Sequence, residues 1–103
     1  MLKHKLTKMK QEEEGNYRFY GVMIVCTANF QNTFGEETLE LIKESMNMIL
    51  KQEIHPDYLQ VFTYNGIKFY AISDYSWDTP LKEIQDVTGM ELPVVTFLLP
   101  EDY

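Results

Sequence analysis

Few residues of this chain have the types and spacing that catalysis or metal binding requires. The histidines are His4 and His55, and the single thiol, Cys26, lies within an apolar stretch. A nucleophile needs a base within hydrogen-bond distance, and a structural metal site needs several thiols or imidazoles. The sequence therefore predicts no catalytic residue, no metal site and no cofactor. We expect His55, next to Pro56, to mark the end of a helix.

One loop combines carboxylates with aromatic residues and is the nearest approach to a cation site. Asp74, Asp78 and Glu83 surround Trp77 in the sequence. Calcium loops supply oxygen ligands at closely alternating positions, and these three carboxylates do not follow that spacing. We expect them to be solvated, and we expect Asp74, Trp77 and Asp78 to contact a partner.

The charges are distributed unevenly along the chain. The first ten residues contain four lysines and no acidic residue, whereas the rest contain five basic and sixteen acidic residues, which gives +4 and −11 within a net charge of −7. An acidic surface repels nucleic acids and attracts proteins that have a basic cleft. The sequence thus predicts a protein partner and no direct nucleic-acid binding. Acidity that serves only solubility would produce the same composition.

The length of 103 residues predicts a single domain. We expect residues 1–16 to form a mobile arm, basic and then acidic, and residues 17–103 to form one α+β domain. No apolar run approaches the roughly 18 residues of a membrane span, and the N-terminus lacks the apolar stretch of a secretory signal. These features predict a cytoplasmic protein.

Two regular elements are predicted in the first half of the domain. Residues 17–28 are rich in β-branched and aromatic types, which favours a central strand. Residues 29–35 have the composition of a loop, and residues 36–53 repeat apolar side chains every three or four positions, which predicts a helix.

The second half begins with a predicted hairpin. Asn65-Gly66 separates two β-rich runs, 57–64 and 67–73, and this dipeptide favours a two-residue turn that pairs Tyr64 with Ile67. A short helix over 80–88 and a final strand over 92–99 follow.

The order strand, helix, strand, strand, helix, strand resembles that of ferredoxin-like domains. The resemblance implies a four-stranded antiparallel sheet with two helices on one face and the other face bare. Aromatic side chains of the hairpin would then form a binding surface, for which we select Tyr58, Phe62 and Tyr64. RNA-recognition modules share this topology, but the basic and glycine residues of their signature are absent. A homodimer, a different protein partner, and coverage by the arm with the 75–78 loop all remain open.

In size, acidity and lack of catalytic motifs the chain resembles small acidic anti-CRISPR proteins of phages and plasmids. The resemblance implies a non-enzymatic inhibitor from a mobile element that blocks the basic nucleic-acid-binding site of a bacterial enzyme such as a CRISPR effector nuclease. The candidate carboxylates on the first predicted helix are Glu36, Glu37, Glu40 and Glu44. The alternative is an ACT-like regulatory module that binds a small ligand at a homodimer interface.

Overall fold

A computed structural model describes residues 1–103 and shows a mixed α+β fold. The strands are β1 (Leu6–Lys8), β2 (Met23–Cys26), β3 (Leu59–Tyr64), β4 (Ile67–Ser73) and β5 (Val94–Leu98). The helices are α1 (Ala28–Phe34), α2 (Thr38–Gln52) and α3 (Leu81–Thr88), with 3-10 turns at Gly35–Glu37 and Pro100–Asp102. None of the helices is long and apolar enough to cross a membrane.

The five strands form one sheet in the order β1-β3-β4-β5-β2, in which β2 is parallel to β5 and the other pairs are antiparallel. The predicted α+β class is confirmed. The predicted four-stranded antiparallel sheet in ferredoxin-like order is wrong, because β1 extends the sheet beside β3 and β2 lies at the opposite edge. The segment from α1 to α2 carries the chain from β2 across to β3, and a parallel connection of this kind requires such a long crossover.

The predicted hairpin is confirmed residue by residue. Tyr64 pairs with Ile67 and Phe62 with Phe69. The two turn residues, Asn65 and Gly66, have φ values of 51° and 75°, the left-handed conformation that this turn requires at both positions.

Strand alternation separates the sheet into a helix-covered face and a second face. Phe30 and Phe34 of α1 pack edge-on against Phe69, and Phe62 stacks on the same ring with centroids 5.2 Å apart. Leu41 and Ile49 of α2 are fully buried in the same cluster. The helix-covered face therefore contains the main core. On the second face, Leu98 is buried and Tyr103 rests edge-on against Tyr70.

Helix α1 occupies a segment that the sequence predicted as a loop. Thr27 caps it, since its side-chain oxygen accepts a hydrogen bond from the Phe30 amide at 3.2 Å. Asparagine, phenylalanine and threonine, which make up most of α1, have modest helix propensity, so local composition does not indicate a helix here. The buried pair Phe30 and Phe34, four residues apart, supplies the packing that stabilises the helix.

The N-terminal segment contributes to the sheet through β1. Lys8 of β1 is 1% exposed at its side chain and forms an ion pair with Glu53, just beyond α2. Further along, Gly15 lies against Pro56 and Asp57, and its amide donates to the His55 carbonyl at 3.1 Å. Residues 1–16, expected as a mobile arm, thus include a strand and several fixed contacts.

Candidate protein-binding surface

Four carboxylates form an acidic ridge along the 3-10 turn and the first half of α2: Glu36, Glu37, Glu40 and Glu44. Their spacing of one, three and four residues places them along one side of the helix. The side chain of Glu36 is 89% exposed. Glu44 is exposed and has no ion-pair partner. The structure thus brings together the four carboxylates that the sequence singled out.

The N-terminal segment of the same chain lies on this ridge. The Met1 ammonium is 2.8 Å from Glu40, and the Lys3 amide donates to Glu37 at 3.1 Å. The Lys3 ammonium is 3.9 Å from Glu36, in a pair whose two side chains are largely exposed. A basic peptide segment is therefore already bound by the ridge, with its outermost ion pair loosely held.

Glu37 is the most constrained member of the ridge. Tyr64 donates its hydroxyl proton to the carboxylate, and this bond, together with that from the Lys3 amide, lowers the pKa of Glu37 below its usual 4.5. The Tyr64 hydroxyl oxygen also accepts from the amides of Lys3 and His4 at 3.0 and 3.1 Å. Burial of Tyr64 and its bond to Glu37 raise the pKa of the phenol. One buried ring thus connects the core to the ridge.

The structure changes the placement of two aromatic residues expected on a partner-binding face. Phe62 is 0% and Tyr64 2% exposed, because α1 and α2 cover the face to which they point. Tyr58 is exposed, with its hydroxyl 3.4 Å from that of Tyr103 and its ring 5.8 Å from that of Tyr17. The hydrogen bond to Tyr103 raises the pKa of Tyr58. Of the three selected rings, only Tyr58 lies at the surface.

The loop that contains Trp77 is held by the segment before β2. The Arg18 guanidinium lies 4.2 Å from the centroid of the Trp77 ring and donates to the carbonyl of Thr79 at 2.9 Å. Asn16 donates to Asp78 at 3.4 Å, and burial raises the pKa of Asp74. Trp77 remains 47% exposed. No hydrogen bond or ion pair joins this loop to the acidic ridge, so the expected site residues form two separate groups.

Neither this loop nor any other part of the chain contains three His, Cys, Asp or Glu side chains close enough together to hold a metal ion. Asp74, Asp78 and Glu83 lie on the loop and on the first turn of α3, and they share no hydrogen-bonded partner. Only Asp78 has a side-chain bond, to Asn16.

The sequence did not predict the surface at the outer edge of β2. Met23, Ile24 and Val25 are each 39% to 40% exposed, and Leu39 at the start of α2 is 82% exposed. A groove of about 380 Å³ lies between Ile24 and Val25 on one side and Leu39 on the other, and Glu36 also lines it. The apolar run over 17–28 indicated a strand, but its composition does not distinguish an edge strand from a central one.

Comparisons with known proteins provide no further assignment for these surfaces: no family model, curated protein or solved structure matches the chain.

Proposed function

We propose that this protein is a non-enzymatic inhibitor that binds the basic nucleic-acid-binding site of another protein through its acidic ridge, Glu36, Glu37, Glu40 and Glu44. The observation that supports the proposal most directly is the basic N-terminal segment on this ridge, where the Lys3 amide and ammonium both contact glutamates. Three nitrogen groups of this segment, the Met1 ammonium and the Lys3 amide and ammonium, contact the ridge, which supports a partner with a basic surface. A partner would compete with the chain's own arm for the same carboxylates.

The distribution of charge supports the same partner class. Residues 11–103 have a formal charge of −11, so their field favours encounter with a cationic cleft and opposes approach to free nucleic acid. The channel of an RNA-guided nuclease is positively charged because it holds a nucleic-acid duplex. A CRISPR effector nuclease is therefore the specific target that we propose to test first.

Trp77 and Tyr58 are proposed as additional contacts with the partner. Each is an exposed aromatic ring, and such rings supply large contact areas at low entropic cost. Asp74 and Asp78 add negative charge beside Trp77. The ACT-like alternative relies on a ferredoxin-like sheet, and the observed strand order differs from it; no observation favours that alternative.

The test is a binding assay between the purified protein and guide-loaded effector nucleases, measured over a range of salt concentrations. We expect binding that weakens as salt rises and that excludes the target duplex. The double variant Glu40→Lys with Glu44→Lys should weaken binding at least tenfold, since rim charges steer and orient such complexes.

The matched control is Asp86→Lys with Glu91→Lys, which makes the same change in net charge at exposed positions outside the ridge and outside the Trp77 loop. If both double variants weaken binding equally, only net charge matters and the ridge is not the interface. Enzymatic turnover by the isolated protein, or direct binding to bare RNA or DNA, would overturn the proposal as a whole.

A further inference from the structure

The outer edge of β2 has unpaired backbone groups. Met23 donates its amide to Pro93 and Thr27 donates to Phe97, so alternate residues of this segment are bonded to β5. In a parallel ladder the intervening residues, Ile24 and Cys26, direct their N–H and C=O groups away from β5. No other strand lies on that side. This edge can therefore form hydrogen bonds with an added strand.

This edge has one of the features that normally prevent such pairing and lacks the others. Exposed edges are usually protected by very short strands, lysines, prolines, bulges or a covering segment, and β2 is short, with four residues. Residues 19–35 contain no charged residue and no proline. Ile24 is 40% exposed, and Leu92, just before the Pro93 that bonds to β2, is 39% exposed. An exposed sheet edge without charged residues can accept an added strand.

The groove beside the edge indicates which side chains an added strand would have. Its walls are the helix-facing side chains Ile24 and Cys26 on one side and Leu39 and Ile42 on the other. A volume of about 380 Å³ accommodates one or two aliphatic side chains. Glu36 lies on the rim with a largely exposed carboxylate, and Lys3 is only loosely paired with it. The groove therefore favours an apolar residue with a lysine or arginine two positions away, because residues i and i+2 of an extended segment share a face.

The same features argue against a second copy of this chain as the occupant. Each copy has a net charge of −7 and would bring no basic residue within residues 19–35 to meet Glu36. The edge comprises four residues, about 13 Å of strand. That length suits a short extended segment, whereas stable protein interfaces bury roughly 1,600 Å².

We propose that the outer edge of β2 binds an extended segment of a partner protein, in which apolar residues alternate with polar ones and a basic residue two positions from a groove-facing apolar residue contacts Glu36. The backbone of the segment pairs with Ile24 and Cys26, and an apolar side chain enters the groove next to Leu39. This site does not depend on the inhibitory function proposed above, and Glu36 is the residue that the two surfaces share.

The test uses ¹⁵N-labelled protein and an eight-residue peptide in which valine alternates with threonine and one lysine replaces a valine, so that the lysine lies on the same face as the remaining valines. We expect peptide-dependent NMR shift changes confined to residues 23–26 and the start of α2, together with slower hydrogen exchange at the amides of Ile24 and Cys26. N-methylation of the peptide amides that face β2 should weaken binding about tenfold, because it removes backbone donors without changing side chains. Replacement of the peptide lysine by glutamate should weaken binding about threefold, and the Glu36→Lys variant should reverse that preference.

Protein variants then separate this site from the acidic ridge. Ile24→Pro removes an outward-facing donor, a change that edge strands tolerate, and should abolish peptide binding. Leu39→Glu is the second variant, in case the proline prevents folding; it fills the groove with a charge and should have the same effect. Glu40→Lys with Glu44→Lys should leave peptide binding unchanged, so failure of the ridge and failure of the edge give different results.

Three outcomes would overturn the proposal. The first is the absence of shift changes up to millimolar peptide, and the second is an N-methylated peptide that binds as well as the parent. The third is a concentration-dependent dimer in sedimentation that Ile24→Pro abolishes, because a second copy would then be the occupant.

Discussion

The two edges of the sheet are protected in opposite ways. At one edge, β1 is three residues long and is flanked by Lys5 and Lys10, and its own Lys8 is paired with Glu53. At the other edge, β2 has exposed apolar side chains and no charged residue between Arg18 and Glu36. Lysines are a common means of preventing strand addition, whereas both edge strands are short, β2 with four residues. The β1 edge is therefore closed to strand addition, and the β2 edge is the one that we propose for binding.

The largest expected effect comes from a substitution that weakens the attachment of β1, the strand at the closed edge. Lys8→Met removes the partner of Glu53, whose side chain is 16% exposed, and loss of one member of a buried ion pair costs roughly 3 kcal/mol. We expect the free energy of unfolding in urea to fall by about that amount. The control, Lys10→Met, removes an exposed lysine from the same segment and should change stability by less than about 0.5 kcal/mol.

Adding Glu53→Leu to Lys8→Met should restore most of the lost stability, since an apolar pair of similar size often replaces a buried ion pair without cost. If Lys8→Met alone leaves the free energy of unfolding unchanged, β1 does not contribute to the stability of the folded domain. The β1 edge would then be as accessible to an added strand as the β2 edge.

Two glycine substitutions test the segments next to the edge strands. Gly15 lies in the segment after β1, and Gly21 lies just before β2. A Cβ at Gly15 would lie 2.8 Å from the Pro56 carbonyl oxygen and 2.9 Å from the Asp57 Cα, whereas a Cβ at Gly21 would meet nothing within 4 Å. Gly15→Ala should therefore destabilise the protein by about 2 kcal/mol through overpacking. Gly21→Ala should cost about 1 kcal/mol, because its φ of 66° is unfavourable for alanine.

Hydrogen exchange distinguishes the two glycine effects. Gly15→Ala should increase exchange at the Tyr17 amide, which bonds to Pro56, while Gly21→Ala should leave that amide protected. Equal loss of protection in both variants would show that the N-terminal segment and β2 unfold as one unit.

Local chemistry made parts of the fold predictable. Asn65-Gly66 determines the hairpin register, since both positions need positive φ, and the apolar repeat of residues 36–53 determines α2. Global arrangement was not predictable in the same way. The order of elements along the chain does not determine the order of strands in the sheet. The apolar composition of β2 fits a central strand, so the sequence predicts a central position, whereas the structure places β2 at an edge.

The N-terminal segment shows a second limit of sequence patterns. Lys8 reads as a solvated charge unless its partner Glu53, forty-five residues away, is known to lie beside it. The acidic ridge shows the same limit: the apolar repeat predicts that Glu40 and Glu44 lie on a helix, whereas the contact of Glu37 with Tyr64 depends on tertiary packing. The partner-binding role of these residues stays a prediction.

Acidification should produce the smallest and most local effect, limited to the closed edge. The folded state lowers the pKa of Glu37 through its bonds to Tyr64 and the Lys3 amide. A lowered pKa means that the contact stabilises the fold above the usual value of 4.5 and is lost as the pH falls through the lower, folded-state pKa. We expect the NMR signals of Lys3 and His4 to move in that acid range, while the amides of Ile24 and Cys26 do not.

Glu37→Gln provides the control for this titration, because glutamine can still accept a hydrogen bond but has no carboxylate to protonate. In this variant the acid-dependent shifts of Lys3 and His4 should disappear. If they persist, the neighbouring carboxylates Glu36 and Glu40 hold the segment and Glu37 does not. If the β2 amides shift together with those of Lys3, the two edges are coupled through the sheet, and peptide binding at β2 should then depend on pH as well.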